Sequence, residues 1–167
     1  MKYTSAEAAK ILRSLSDELT SVSEMQDKSA EFVAAVGEDI ESVRPSYNFA
    51  ETQAKLNELE KKIRTVKHAL NVFNSTTVVP EFGMTIDEML VYIPQLTAAK
   101  NKLAIMKDKL PKVREQTRVN SSILDYRYLN YDVETVTAEY EKVTDTLSKA
   151  QNALDSVNMN QTLEVDL

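Results

Sequence analysis

Apolar residues recur every three or four positions along four long stretches of the chain. In the first, Ala8, Ile11, Leu12, Leu15, Leu19, Val22, Met25, Phe32, Val33 and Val36 fall mostly on one helix face. With Ser5 as N-cap and Gly37 as the stop, the pattern predicts a helix over 5–36. In the second, Phe49, Thr52, Leu56, Leu59, Ile63, Val66, Leu70 and Phe73 alternate in steps of three and four, a heptad seam. It predicts a helix over 49–74, capped by Ser46 or Asn48 after the break at Pro45. The third stretch carries Ile86, Met89, Leu90, Ile93, Leu96, Leu103, Met106 and Leu110 and predicts a helix over 86–110. Thr85 and Glu88 have capping-box spacing at its start, and Pro94 inside it predicts a kink or a new start after Tyr92. The fourth seam is the most regular: Val133, Val136, Tyr140, Val143, Leu147, Ala150, Leu154 and Val157, a helix over 132–157 capped by Asp132.

Between these stretches the period changes. Residues 75–84 hold a β-branched cluster, Pro80 and Gly83, and predict a short strand over 76–79, half of a hairpin. Ile123, Tyr126 and Tyr128 predict a second strand over 123–128. The alternation of Leu163, Val165 and Leu167 predicts an edge strand over 163–167, paired in the same subunit or in a neighbour. The fold class is mainly α: an elongated bundle of about four long helices with a small β element, in one domain over 1–167.

Composition narrows the functional classes. The chain has 167 residues, two glycines, four prolines, no cysteine and no tryptophan. Glycine this scarce argues against a Rossmann fingerprint or a P-loop. The lack of cysteine excludes disulfides and thiolate metal sites and fits a reducing, cytoplasmic compartment. No apolar run reaches membrane-spanning length, and the N-terminus lacks the apolar core of a signal peptide, so no membrane partner is expected. The net charge of −6 argues against a nucleic-acid partner. Charge is segregated: residues 17–41 hold eight acidic residues against Lys28, and residues 100–118 hold seven basic residues against Asp108 and Glu115.

Helices of this length also bear on assembly. A helix of 26–31 residues is about 39–46 Å long, whereas a compact chain of this size is roughly 40 Å across. Each helix would span the molecule over a thin core, leaving apolar stripes for a second copy to cover. The acidic and basic segments would help to fix that pairing, so a homo-oligomer is expected.

Few residues offer chemistry. His68 is the single histidine and falls at an outward seam position. Asp87 and Glu88 complement a helix N-terminus. The basic run 100–118 would bind phosphate or nucleic acid, or form a solvated face; the acidic total favours the latter. Tyr126, Tyr128 and Tyr131 beside Arg114, Arg118 and Arg127 would stack bases, or pack a strand on the end of a bundle, which is favoured. No catalytic residue, metal ligand or cofactor is assigned.

Two groups of motifs carry a resemblance. One is Asn71, Asn74, Thr76 and Thr77, a short connection to Gly83, then Thr85 through Leu90. The other is Tyr126-Arg127-Tyr128, then Asp132-Val133, a long helix and the ending Asn158 through Leu163. Their order and spacing over about residues 50–163 resemble an uncharacterised family of small, mainly helical bacterial proteins, some of which carry the label septicolysin. The chain departs from that pattern at Pro94, in the 37–48 connection, and at Met159, where the family has tryptophan. The resemblance implies a fold and an oligomeric habit but no catalytic residues.

The leading expectation is a cytoplasmic, non-enzymatic helical scaffold or interaction protein that self-associates or meets a protein partner. The alternative is a small-molecule or phosphate-binding protein, with a site formed from Asn74, Thr76, Thr77, Arg114, Arg118, Arg127 and Tyr128. That alternative requires the 74–77 turn and the Tyr/Arg strand to meet in space. A cytolysin is disfavoured, because no cationic amphipathic face accompanies the label.

Overall fold

The computed structural model describes residues 1–115 and 125–166. The chain is mainly α with small β elements, in the order β1 (Lys2–Thr4), α1 (Ser5–Ser29), α2 (Ile40–Val43), α3 (Phe49–Thr76), β2 (Val78–Val79), β3 (Met84–Thr85), α4 (Ile86–Lys107), β4 (Lys112–Arg114), β5 (Tyr126–Tyr128), α5 (Val133–Asn160) and β6 (Thr162–Glu164). It divides into two compact units. One holds Met1–Thr76 and the chain from Val157 onward; the other holds Thr77–Ser156.

In the first unit α1 and α3 run antiparallel. The Gln53 side-chain amide donates to the Gln26 side-chain oxygen at 2.9 Å, and Lys55 meets Glu18 at 2.9 Å. Of the α3 seam, Thr52, Leu59, Ile63, Val66 and Phe73 are buried, Leu56 and Leu70 are half-buried, and Phe49 at the first position is exposed. Thr52 is tolerated there because its hydroxyl donates to the Asn48 carbonyl. Asn48 is the cap of α3, accepting from the amides of Ala50 and Glu51. The helix runs two residues past its predicted end at 74, and the hydroxyls of Ser75 and Thr76 both donate to the Val72 carbonyl.

The first helix differs more from expectation. Its N-cap is Thr4, not Ser5, in a capping box with Glu7. It stops at Ser29 rather than continuing to 36. Phe32, Val33 and Val36 keep the helical spacing, but residues 26–31 supply no large apolar side chain, and a long helix depends on packing of its apolar face. Gly37, at φ +89°, serves a loop turn closed by the Glu38 amide on the Ala35 carbonyl.

The C-terminal strand pairs within the chain. β6 lies antiparallel to β1, with Tyr3 opposite Leu163, and it begins at 162 rather than 163. Met1 and Val165 extend the ladder, the Met1 amine donating to the Val165 carbonyl at 3.0 Å and the Val165 amide to the Met1 carbonyl at 2.9 Å. Leu163 and Val165 are buried while Glu164 is exposed, the alternation expected of a strand with one face covered. Leu167 lies outside the described residues.

In the second unit β2 and β3 form a hairpin, Val78 opposite Thr85 and Val79 opposite Met84. Gly83, at φ +63°, makes its turn. The strand predicted over 76–79 is thus confined to 78–79. The Thr85–Glu88 capping box forms as predicted, with the Thr85 amide donating to the Glu88 carboxylate at 2.7 Å and the Glu88 amide to the Thr85 hydroxyl at 3.2 Å. The helix continues through Pro94 without a restart. It ends at Lys107 instead of 110, because Pro111 disfavours helical angles at Leu110. The last helix runs to Asn160 rather than 157. Its start is tied to the end of α4, where the Tyr131 hydroxyl donates to the Met106 carbonyl at 2.9 Å and Lys107 lies over the Tyr140 ring.

Three helix starts carry carboxylates held below their ordinary range. Backbone and hydroxyl donors of Thr4 lower Glu7, those of Thr85 lower Glu88, and the hydroxyl and amide of Thr135 lower Asp132. A carboxylate with a depressed folded pKa contributes stability that is present above its unfolded value and is lost as pH falls through the folded one. Stability is therefore expected to decline on acidification below pH 4.5, the ordinary value for Glu88. Glutamine can occupy the same capping position without titrating. Glu88→Gln should leave a shallower acid limb in urea melts followed from pH 6 to pH 2.5, and an unchanged limb would count against this cap.

Candidate functional site

The sequence-predicted site residues that are described fall in both units. Asn74 and Thr76 close α3 in the first unit, where the Thr76 hydroxyl is spent on the Val72 carbonyl. Thr77 opens the hairpin of the second unit, and its carbonyl accepts from the Ile86 amide at 2.9 Å. Arg118 lies outside the described residues, as do 123 and 124 of the strand predicted over 123–128. Arg114, Arg127 and Tyr128 do come together.

They meet on a two-stranded ribbon. β4 pairs antiparallel with β5, placing Lys112 opposite Tyr128, Val113 opposite Arg127 and Arg114 opposite Tyr126. The Glu115 amide donates to the Asp125 carbonyl, and the Leu129 amide to the Pro111 carbonyl, which fixes both ends. Lys112 lies over both tyrosine rings, 4.2 Å from the centroid of Tyr126 and 5.4 Å from that of Tyr128. Arg127 pairs with Glu115. All six strand residues are exposed. On this polar and aromatic ribbon Lys112 faces the two rings and Arg127 a carboxylate.

A cleft of about 490 Å³ beside α3 is lined by Glu18, Glu51, Lys55, Glu58 and Lys62 and is crossed by ion pairs. One of about 470 Å³ lies between α3 and β6 with the residues that follow it, lined by His68, Val72, Phe73, Thr76, Leu163 and Val165. One of about 450 Å³ lies between α4 and α5, beside Leu90, Ile93, Pro94 and Leu154. Of the six described candidates, Thr76 borders one of these three clefts and the others border none of the three. Among the described residues no three His, Asp or Glu side chains gather as a metal site.

Two surfaces escaped the sequence reading. The first is a second apolar stripe on α4. Val91, Pro94, Ala98 and Ile105 are exposed and recur at 91, 98 and 105 in steps of seven, so they share one face. Val91 is 59% exposed and Ile105 65%, and Lys102 shares that face. The stripe was hidden by the stronger pattern of Ile86, Met89, Ile93 and Leu96 on the buried side. The same reading placed Leu90 and Leu110 in the core, and both are exposed.

The second is the segment 31–41. Val33, Val36 and Ile40 are exposed, among Glu31, Glu38, Asp39 and Glu41. The segment makes contacts within itself and with Arg44. The Arg44 guanidinium sits 5.2 Å from the Phe32 ring centroid and pairs with Glu41 at 2.8 Å, the Glu38 carboxylate accepts the Ala35 amide, and the Asp39 carboxylate caps α2. Its signal in the sequence is the acidic excess, while the helical spacing of Val33 and Val36 mimics a helix face.

No family model matches the chain, and no curated protein matches it. Among solved structures it is similar to the crystal structure of a functionally unknown conserved protein from Corynebacterium diphtheriae. The two are 16% identical with a TM-score of 0.60, over 98% of this chain and 100% of that one. At this identity the likeness shows a shared fold. No helix among the described residues is long and apolar enough to cross a membrane.

Proposed function

We propose that this chain is a non-enzymatic, cytoplasmic helical interaction protein that associates with copies of itself. The observation that carries the reading is the α4 stripe, in which Val91, Pro94, Ala98 and Ile105 stand in solvent at seam spacing. Apolar residues scattered singly over a surface need no explanation, whereas a periodic row on one helix face fits a partner helix or segment. The absence of cysteine is compatible with a reducing compartment. Nothing described pairs a nucleophile with a base: His68, the one imidazole, lies exposed on α3.

Light scattering across a dilution series tests the proposal. The wild-type chain is expected to show a multiple of the single-chain mass that falls on dilution. Val91→Asp with Ile105→Asp should give the single-chain mass at every concentration, with helical circular dichroism unchanged because both positions are exposed. A wild-type chain that stays monomeric at all concentrations overturns the reading.

A further inference from the structure

We infer that the acidic segment 31–41 of one copy docks on the α4 stripe of a second copy. This rests on the self-association proposed above and names the surfaces that meet. The argument begins with charge. Glu31, Glu38 and Asp39 accompany the exposed Val33, Val36 and Ile40, and none of these three acids is in an ion pair among the described residues. On the other surface, Lys102 shares the α4 stripe, while Lys109 and Arg114 follow the helix, and none of these three cations is in an ion pair among the described residues. Neighbouring charges behave differently: Glu41 is satisfied by Arg44, Lys107 by Asp108 and Arg127 by Glu115. Among the described residues, charges outside any ion pair thus accompany both apolar rows, acidic at one and basic at the other.

Dimensions agree as well. From Val91 to Ile105 the stripe runs about 21 Å at 1.5 Å per residue. From Val33 to Ile40 the chain reaches at most about 25 Å when extended, and the Gly37 turn shortens it. Exposed ion pairs contribute little net affinity but set orientation and encounter rate, so the valines and isoleucines supply the contact while the acids and bases select its register. The two surfaces are different patches. The contact therefore runs head to tail into a ring, or is made twice in a two-fold pair, when the geometry allows.

The lack of cysteine makes the test direct. Val36→Cys and Ile105→Cys, both at exposed positions, are purified reduced as full chains, mixed in equal amounts and oxidised gently. The mixed disulfide can form only between copies. It is expected to exceed each homodisulfide, and the product of Val36→Cys with the exposed control Ser148→Cys, by at least fivefold. Adding Lys102→Glu and Lys109→Glu to the Ile105→Cys chain should cut the yield at least fivefold, and Glu31→Lys with Glu38→Lys in its partner should restore it. Oligomers by light scattering without preferential V36C–I105C crosslinking would overturn this docking and leave self-association standing. A monomeric wild-type chain at every concentration would overturn both.

Discussion

Met89→Ala is expected to cost the second unit about 2–5 kcal/mol, the usual range for emptying a large buried side chain. Met89 is fully buried one turn inside α4, the helix that packs against the β2–β3 hairpin. Three features converge there. The capping box fixes where α4 begins, Gly83 lets the hairpin turn, and Val79 and Ile86 are buried on either side of that turn. Leu90→Ala is the internal control. That residue follows Met89 in sequence but is 49% exposed, and its loss should stay within about 0.5 kcal/mol. Urea melts at a common slope would report the difference. Equal costs would mean that burial against the hairpin does not hold α4. Amide exchange should quicken in α4 and the hairpin in Met89→Ala.

What the sequence revealed depends on how far a signal repeats. The α3 and α5 seams each run for more than twenty residues, and the predicted positions Leu59, Ile63, Val66, Leu147, Ala150 and Leu154 are buried. Repetition of that length outweighs any one residue, so element type was secure and only the ends moved. Short elements behave otherwise. β1 has three residues and no pattern of its own; it is a strand because β6 pairs with it from the far end of the chain. β4 lay concealed in a basic run that read as a helix face until Pro111 ended the helix. The end of α1 was misread because Phe32, Val33 and Val36 keep the helical interval across a polar gap.

The candidate site was harder to read for a related reason. Asn74, Thr76 and Thr77 stood out as polar residues at a break in pattern. Two of them serve local geometry: the Thr76 hydroxyl closes α3, and the Thr77 carbonyl receives the first amide of α4. A polar residue near a helix end is most often used by that end, where backbone groups lack partners. The surfaces that carry the proposed association are instead apolar and exposed. From sequence, an exposed apolar row and a buried one look alike. Only a structure that shows the buried face of α4 already occupied by Ile86, Met89 and Leu96 leaves Val91, Ala98 and Ile105 as surplus.

Leu163→Ala is expected to destabilise the first unit by a similar amount, about 2–5 kcal/mol, but with a different kinetic signature. Leu163 is buried on the inner face of β6, which packs against α3, and its ladder partner is Tyr3. These residues come from opposite ends of the chain, so their pairing closes a very long loop. Closure of that kind adds entropy cost before any contact repays it, which places β1–β6 pairing late in folding. Late contacts act on the unfolding rate. A loss of 2 kcal/mol carried wholly by that limb would speed unfolding by roughly 30-fold and leave refolding within about twofold. Thr162→Ala, at an exposed position of the same strand, should change neither rate much. Stopped-flow chevrons decide the matter. If Leu163→Ala instead slows refolding by an order of magnitude, the two ends of the chain meet early, and the α1–α3 pair forms around β1–β6 rather than before it.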